Sequence, residues 1–199
     1  MTENKALTGD TLDQLFNEAR THTTWLPKPV PDALLEQLYA LTRWGPTSMN
    51  MQPMRLVFVR GAEAKAKLLT AVASGNQAKV EAAPVTVIVG YDLSFHDHLQ
   101  RMAPHMKDPG SNFRGNDEVI LENAFRNGSL QGGYLILAAR ALGLDTGPMS
   151  GFDPARVDEM FFPDSGIRSN FIMNIGYGDA ERLYPRAPRF EFDEVCRIE

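Results

Sequence analysis

The residue types best suited to chemistry sit together in Trp44-Gly45-Pro46-Thr47-Ser48-Met49-Asn50-Met51-Gln52-Pro53. Thr47, Ser48, Asn50 and Gln52 bring donors and acceptors into one short stretch. Pro46 and Pro53 fix their own φ and restrict the residue before each of them. The segment therefore reads as a stiff polar turn, suited to a planar ligand with a polar rim. A second candidate is Gly147-Pro148-Met149-Ser150-Gly151-Phe152-Asp153. Asp153 is a credible N-cap before Pro154 at the first helical position, and Gly151 lets a ligand approach backbone N–H groups. The alternative is a plain strand-to-helix turn. Arg20, Arg186 and Arg189 are candidate phosphate cations, although Arg20 is equally explained as a cation closing a helix and the other two as solvated charges.

Other chemistries find little support. Gly176-Tyr177-Gly178 lacks the third glycine and the following helix of a dinucleotide loop. His96, His98 and His105 have no acidic or cysteine set at ligand spacing, so no metal site is expected. Asn127-Gly128-Ser129 matches a glycosylation sequon but falls inside a helical pattern with no signal peptide. No nucleophile elbow or Walker loop is present.

These residues need elements to hold them. Apolar spacing predicts helices over residues 11–21, from 32 into the polar turn, 63–73, 117–142 and 153–161. Strands are expected over 54–60, 84–91 and 169–176, with a short one before Gly147. Residues 92–116 are irregular and polar, the signature of a functional or mobile loop. Gly128 and Gly132 share one face of the long helix, and such glycines cost about 1 kcal/mol each relative to alanine. Close approach of another helix or a ligand is the favoured reason. Helices outnumber strands, which gives an α+β class with a small central sheet surrounded by helices.

The 199 residues fit one domain, residues 1–199, with a full core. A net charge of −5 argues against general nucleic-acid binding. One cysteine, Cys196, permits no intramolecular disulfide and fits a reducing cytoplasm. The polar start has no secretory h-region, and no apolar run is long enough to span a bilayer.

In order and spacing, ARTHTTW, RWGPTS, SGNQAK, AFRNGSLQGGYLILAARALGLDTGPMSGFD, SNFIMNIGYGD and the arginine-bearing tail resemble the FMN-dependent nitroreductase family, from Arg20 to Arg189. They look closest to the branch holding the malonic semialdehyde reductase. The resemblance implies a nitroreductase-like fold and an intertwined homodimer with FMN at the interface. It implies FMN phosphate contacts from Arg20 and from Arg186 or Arg189, and a hydrogen bond from Asn76 to the flavin's polar edge. Pro148, Ser150 and Gly151 are implied to lie along the ring, with the Gly151 N–H near N5. Pro46, Thr47, Ser48 and Asn50 are implied to reach the flavin of the other subunit. Many members carry a serine and then a cation after the first arginine. Here these positions look to be His22 and Thr24, so His22 or Arg189 is expected to compensate. Ser150 replaces a common glutamate, which removes a negative charge near the nicotinamide site.

The implied activity is NAD(P)H oxidation, with NADH or NADPH as hydride donor, ping-pong transfer through flavin N5, and no catalytic side chain. The implied acceptor is a small molecule such as malonic semialdehyde or a related 3-oxo acid, its carboxylate met by Arg114, Lys107 or Arg126. The alternatives are a nitroaromatic or quinone reductase, a flavin-binding protein without turnover, and a cofactor-free helical dimer.

Overall fold

The structure, a computed structural model, describes residues 5–199. Its centre is a four-stranded, fully antiparallel sheet in the order β1-β2-β4-β3. The strands are β1 (Met54–Val59), β2 (Val85–Asp92), β3 (Asp145–Met149) and β4 (Ile167–Gly176). β2 is a run of β-branched residues, which suits a strand covered on both faces. Val87 and Val89 face one core with Leu38, Leu135 and Met173. Ile88 faces a second core with Leu68, Val80, Val157 and Ile172. The alternation follows from the period of two along a strand. β3 lies at an edge, where Pro148 removes no inner ladder bond.

Two helices cover the first face: α2 (Asp32–Thr42) and α6 (Asp117–Ala141). Asn116 caps α6 by accepting from the Val119 N–H. Gly128 and Gly132 do mark a close approach, but what approaches is the chain's own sheet. A Cβ on Gly128 would stand 3.0 Å from Cβ of Tyr91 on β2, and one on Gly132 2.8 Å from the ring of Phe171 on β4. The other face carries α3 (Ala62–Leu69), α4 (Ser74–Ala82) and α7 (Pro154–Phe161). The helix expected over 63–73 ends at Leu69, and a further helix that was not expected, α4, follows and carries Asn76. Lys65 ties them together by donating to the carbonyls of Glu81 and Ala83; burial lowers its pKa, opposed by Glu81.

The first helix is shorter than the 11–21 pattern predicts. α1 (Asp10–Leu12) passes into a π-helical turn, Asp13–Asn17, and helix ends there. Arg20 is therefore not a helix-closing cation. From Thr21 the chain is extended along the sheet edge, with Thr21 bridging Thr146 and Trp25 bridging Gly178. The stretch 92–116 contains a 3₁₀ turn, Phe95–His98, and the short α5 (Leu99–Met102). Phe95, Leu99 and Phe113 anchor it in a third core with Met51 and Ile120. The tail forms one turn of helix, α8 (Phe192–Val195), and residues 184–199 are exposed throughout. Among the described residues no helix is long and apolar enough to cross a membrane.

Candidate functional site

The structure divides the candidate residues into two groups. The first surrounds β3 and the tail. The Arg20 guanidinium donates to the backbone carbonyl of Tyr184, and Arg186 donates back to the Ala19 carbonyl at 3.3 Å. Two arginines far apart in sequence are thus clasped side by side. Neither has an acidic partner among the described residues. Arg189 instead folds onto its own backbone, donating to the carbonyls of Ala187 and Pro188. Unpaired guanidinium forks held on a fixed backbone suit a phosphate monoester, which offers close to two negative charges.

His22 lies next to this pair but faces inward, a correction to its expected place on the phosphate. It is 6% exposed, with Nε2 3.3 Å from the Asp145 carboxylate. Its backbone N–H donates to Thr146, and Asp145 also accepts from the Gly178 N–H at 2.8 Å. Asp145 opposes the lowering of the Arg140 pKa that burial causes. The imidazole occupies the space that a side chain at Gly178 would need: a Cβ there would lie 1.9 Å from Nδ1. Gly147 is also tight, since its Cβ would lie 2.4 Å from the His22 carbonyl oxygen. Both glycines exist so that segment 21–26 can lie flat on β3 and β4.

At the other end of β3, Pro148 and Ser150 are exposed and Gly151 is half-buried. The Gly151 carbonyl accepts from the Ala73 N–H at 3.0 Å and from Asn76 Nδ2 at 3.3 Å. The Gly151 N–H donates to no acceptor among the described residues. A Cβ at Gly151 would stand 2.5 Å from Asn76 Nδ2, so a larger residue there would displace the Asn76 amide from the Gly151 carbonyl. Lys79 was missed by the sequence reading. Its ammonium donates to Asn76 Oδ1 at 3.0 Å, one turn along α4. Beneath it, buried Asn174 donates to the Lys79 carbonyl at 2.9 Å and accepts from Thr86 at 2.7 Å. Buried polar groups are costly unless bonded, so this chain of bonds fixes α4, and with it Asn76 and Lys79, to the middle of the sheet.

The second group is the polar turn, made of a 3₁₀ turn at Ser48–Asn50 between Pro46 and Pro53. Met49, Asn50 and Gln52 take φ of 51°, 53° and 42°. Left-handed non-glycine residues cost on the order of 1–3 kcal/mol each and persist only where surroundings impose them. The imposing contacts are clear. Asn127 of α6, 2% exposed, accepts from the Ser48 N–H at 2.8 Å. Asn50 donates to the Met102 carbonyl at 2.8 Å, Thr47 accepts from the Gln52 N–H at 3.2 Å, and Gln52 donates to Asn50 at 2.7 Å. Asn127 is thus an internal anchor, which closes the sequon reading. No described cavity is lined by both this turn and the Arg20 or Gly151 groups.

The proposed carboxylate cations fare poorly. Arg114 is paired with Asp108 and Arg126 with Glu122, while Lys107 is exposed. The described residues hold no cluster of three or more potential metal ligands.

A family model described as the nitroreductase family matches residues 17–177. A Burkholderia lata protein provisionally named NADH dehydrogenase/NAD(P)H nitroreductase is 61% identical, over 97% of this chain and 98% of its own. Among solved structures, a Bacillus subtilis protein provisionally named a nitroreductase superposes with a TM-score of 0.86 at 24% identity, over 94% of this chain and 98% of that one. An Exiguobacterium sibiricum protein, provisionally named a nitroreductase and solved in complex with FMN, gives 0.84 at 20% identity, over 98% of this chain and 100% of that one. These names speak of nitroreductases and NAD(P)H, at a coarser level than the semialdehyde branch. The matched span covers every element of the sheet, from the arginine segment to the end of β4, and the chain belongs to the nitroreductase family.

Proposed function

We propose that the chain is one FMN-binding domain of a homodimeric NAD(P)H oxidoreductase. The observation that carries the reading is the reciprocal clasp of Arg20 and Arg186, two guanidinium groups without acidic partners at one end of β3, with a Gly151 N–H without an acceptor past its other end. FMN, when bound, would take a hydride at N5 from NADH or NADPH and pass it to a small acceptor, chemistry that no side chain supplies. Arg20 and Arg186 would hold the phosphate, with Arg189 the weaker tail candidate and His22 acting through the backbone it positions. Pro148 and Ser150 would offer the ring a surface, and the Gly151 N–H a donor at N5. Asn76 would bond the polar rim, and Lys79 would bring positive charge to it, favouring the electron-rich form of the ring.

Pro46, Thr47, Ser48 and Asn50 would serve the flavin of the other subunit, in keeping with their separation from the arginine pair within one chain. Two apolar surfaces support the dimer. α6 exposes Leu121, Phe125, Leu130 and Tyr134, and the tail exposes Tyr184, Phe190, Phe192 and Ile198. Exposure on this scale marks an interaction surface.

For the acceptor, the narrow reading is a 3-oxo acid such as malonic semialdehyde. Its carbonyl carbon would receive the hydride and its oxygen a proton from solvent, giving the alcohol. The rival acceptors are nitroaromatics or quinones, and a flavin-binding protein without turnover is the rival outside catalysis. Steady-state oxidation of NADH and NADPH with malonic semialdehyde, a quinone and a nitroarene separates them. Turnover of the aldehyde is the expected result, and its absence while the quinone or nitroarene reacts removes the narrow reading.

A further inference from the structure

We infer that the cavity beside the polar turn is an anion subsite, with Arg101 selecting acceptors that carry a carboxylate. The inference rests on the oxidoreductase reading above and deepens it. The cavity, about 590 Å³, opens between α2, the start of β1 and α5. Arg55, His98 and Arg101 line it together with the apolar side chains of Met54, Leu56 and Phe58, and no Asp or Glu lines it. This is unusual in a chain of net charge −5. The acid that Arg55 and His98 face is Asp92, which is already engaged: Arg55 holds its Oδ2 at 2.5 Å, and His98 Nε2 stands 3.9 Å from the same oxygen. Arg101 has no acidic partner and makes no side-chain hydrogen bond among the described residues. It is the uncommitted cation of the cavity.

The cavity is also tied to the candidate active site. Gln52 lines both it and the adjoining cavity over Pro46, Thr47 and Asn50. The Asn50 amide donates to the carbonyl of Met102, the residue after Arg101. A ligand lying along the turn would therefore find apolar wall for its body and a guanidinium for its charge. Size and lining fit a short-chain or aromatic carboxylate. A guanidinium binds a carboxylate through two parallel hydrogen bonds, which a neutral isostere forfeits.

The test compares 4-nitrobenzoate with 4-nitrobenzyl alcohol, two nitroarenes differing in charge, on FMN-supplemented wild type and Arg101→Ala. The ratio of kcat/KM for acid over alcohol is expected to fall about 10- to 100-fold in the variant, as loss of a charge-assisted pair implies. Arg101→Lys should restore part of it. Calorimetric titration of benzoate onto the protein reads the same contact without turnover, and Arg101→Ala should weaken it by a similar factor. This separates failure of the subsite from failure of the oxidoreductase reading, since benzoate binding survives the latter. Three results overturn the subsite. One is an unchanged acid-to-alcohol ratio together with unchanged benzoate affinity. Another is a rise in KM confined to NADPH, which assigns Arg101 to the donor's phosphate. The last is dissociation of the dimer with acid preference intact, which assigns the cavity to the partner's terminal carboxylates.

Discussion

Arg20→Ala should weaken FMN binding by about 10- to 100-fold and leave riboflavin binding nearly unchanged. The magnitude is that of one charge-assisted fork to a phosphate, about 1.5–3 kcal/mol. The riboflavin comparison matters because riboflavin has the same ring and no phosphate. A variant that merely loosens the fold weakens both ligands together. Removal of the Arg20 bond to the Tyr184 carbonyl also frees the tail at that point, so Arg186 is expected to lose part of its alignment. The double variant Arg20→Ala/Arg186→Ala should then cost less than the sum of the single losses, as is usual for groups sharing one partner. Arg20→Lys should recover only part of the affinity, because an ammonium is a point charge without the planar fork. Fluorescence titration with both flavins reads all of this. Equal losses for FMN and riboflavin contradict the phosphate assignment.

Gly147→Ala should be among the most destabilising substitutions of small size in the chain. The new methyl would lie 2.4 Å from the His22 carbonyl oxygen and 3.3 Å from the Trp25 ring. The nearer atom is backbone, so no rotamer change relieves the clash, and segment 21–26 must lift from β3. Overpacking of this kind costs about 1–3 kcal/mol, which for a domain near 200 residues lowers the thermal midpoint by about 2–12 °C. The His22 N–H bond to Thr146 and the Thr21–Thr146 bridge would weaken with it, and Arg20 precedes that bridge. FMN affinity should therefore fall alongside stability. Gly178→Ala supplies the control. Its methyl meets the His22 ring rather than backbone, so adding His22→Ala should recover much of the lost stability there and little of it in Gly147→Ala. Thermal denaturation of the four variants separates the cases.

The sequence carried much of this arrangement, and the failures have physical causes. β2 announced itself because a continuous β-branched run has few other uses. α6 did so because its helical period outlasts three glycines. The polar turn was found through its two prolines. The left-handed conformations of Met49 and Gln52 were not, because they are imposed from outside by Asn127 and Met102. Asn127 itself was read only as a chance sequon, since nothing local distinguishes an anchor from an exposed asparagine. α4 escaped notice because Val80 is its one buried residue, so it has almost no apolar stripe to detect. Had it been recognised, the spacing of Asn76 and Lys79 would have placed both on one face. The first helix was overextended because Leu12, Leu15, Phe16 and Ala19 keep helical spacing. The Thr21–Trp25 segment then prefers the sheet edge, where backbone bridges to Thr146 and Gly178 satisfy it. Gly128 and Gly132 mark a close approach as expected, but by the chain's own sheet rather than by another helix or a ligand, because periodicity names a face and not what covers it.

The most direct measurement of the central claim is the absorbance spectrum of the FMN-supplemented protein, freed of excess flavin and mixed anaerobically with NADH or NADPH. The account predicts that FMN stays with the dimer and that its oxidised band bleaches rapidly with at least one donor, returning when an acceptor is added. A protein that retains no FMN, or one whose bound flavin remains oxidised with both donors, would contradict it.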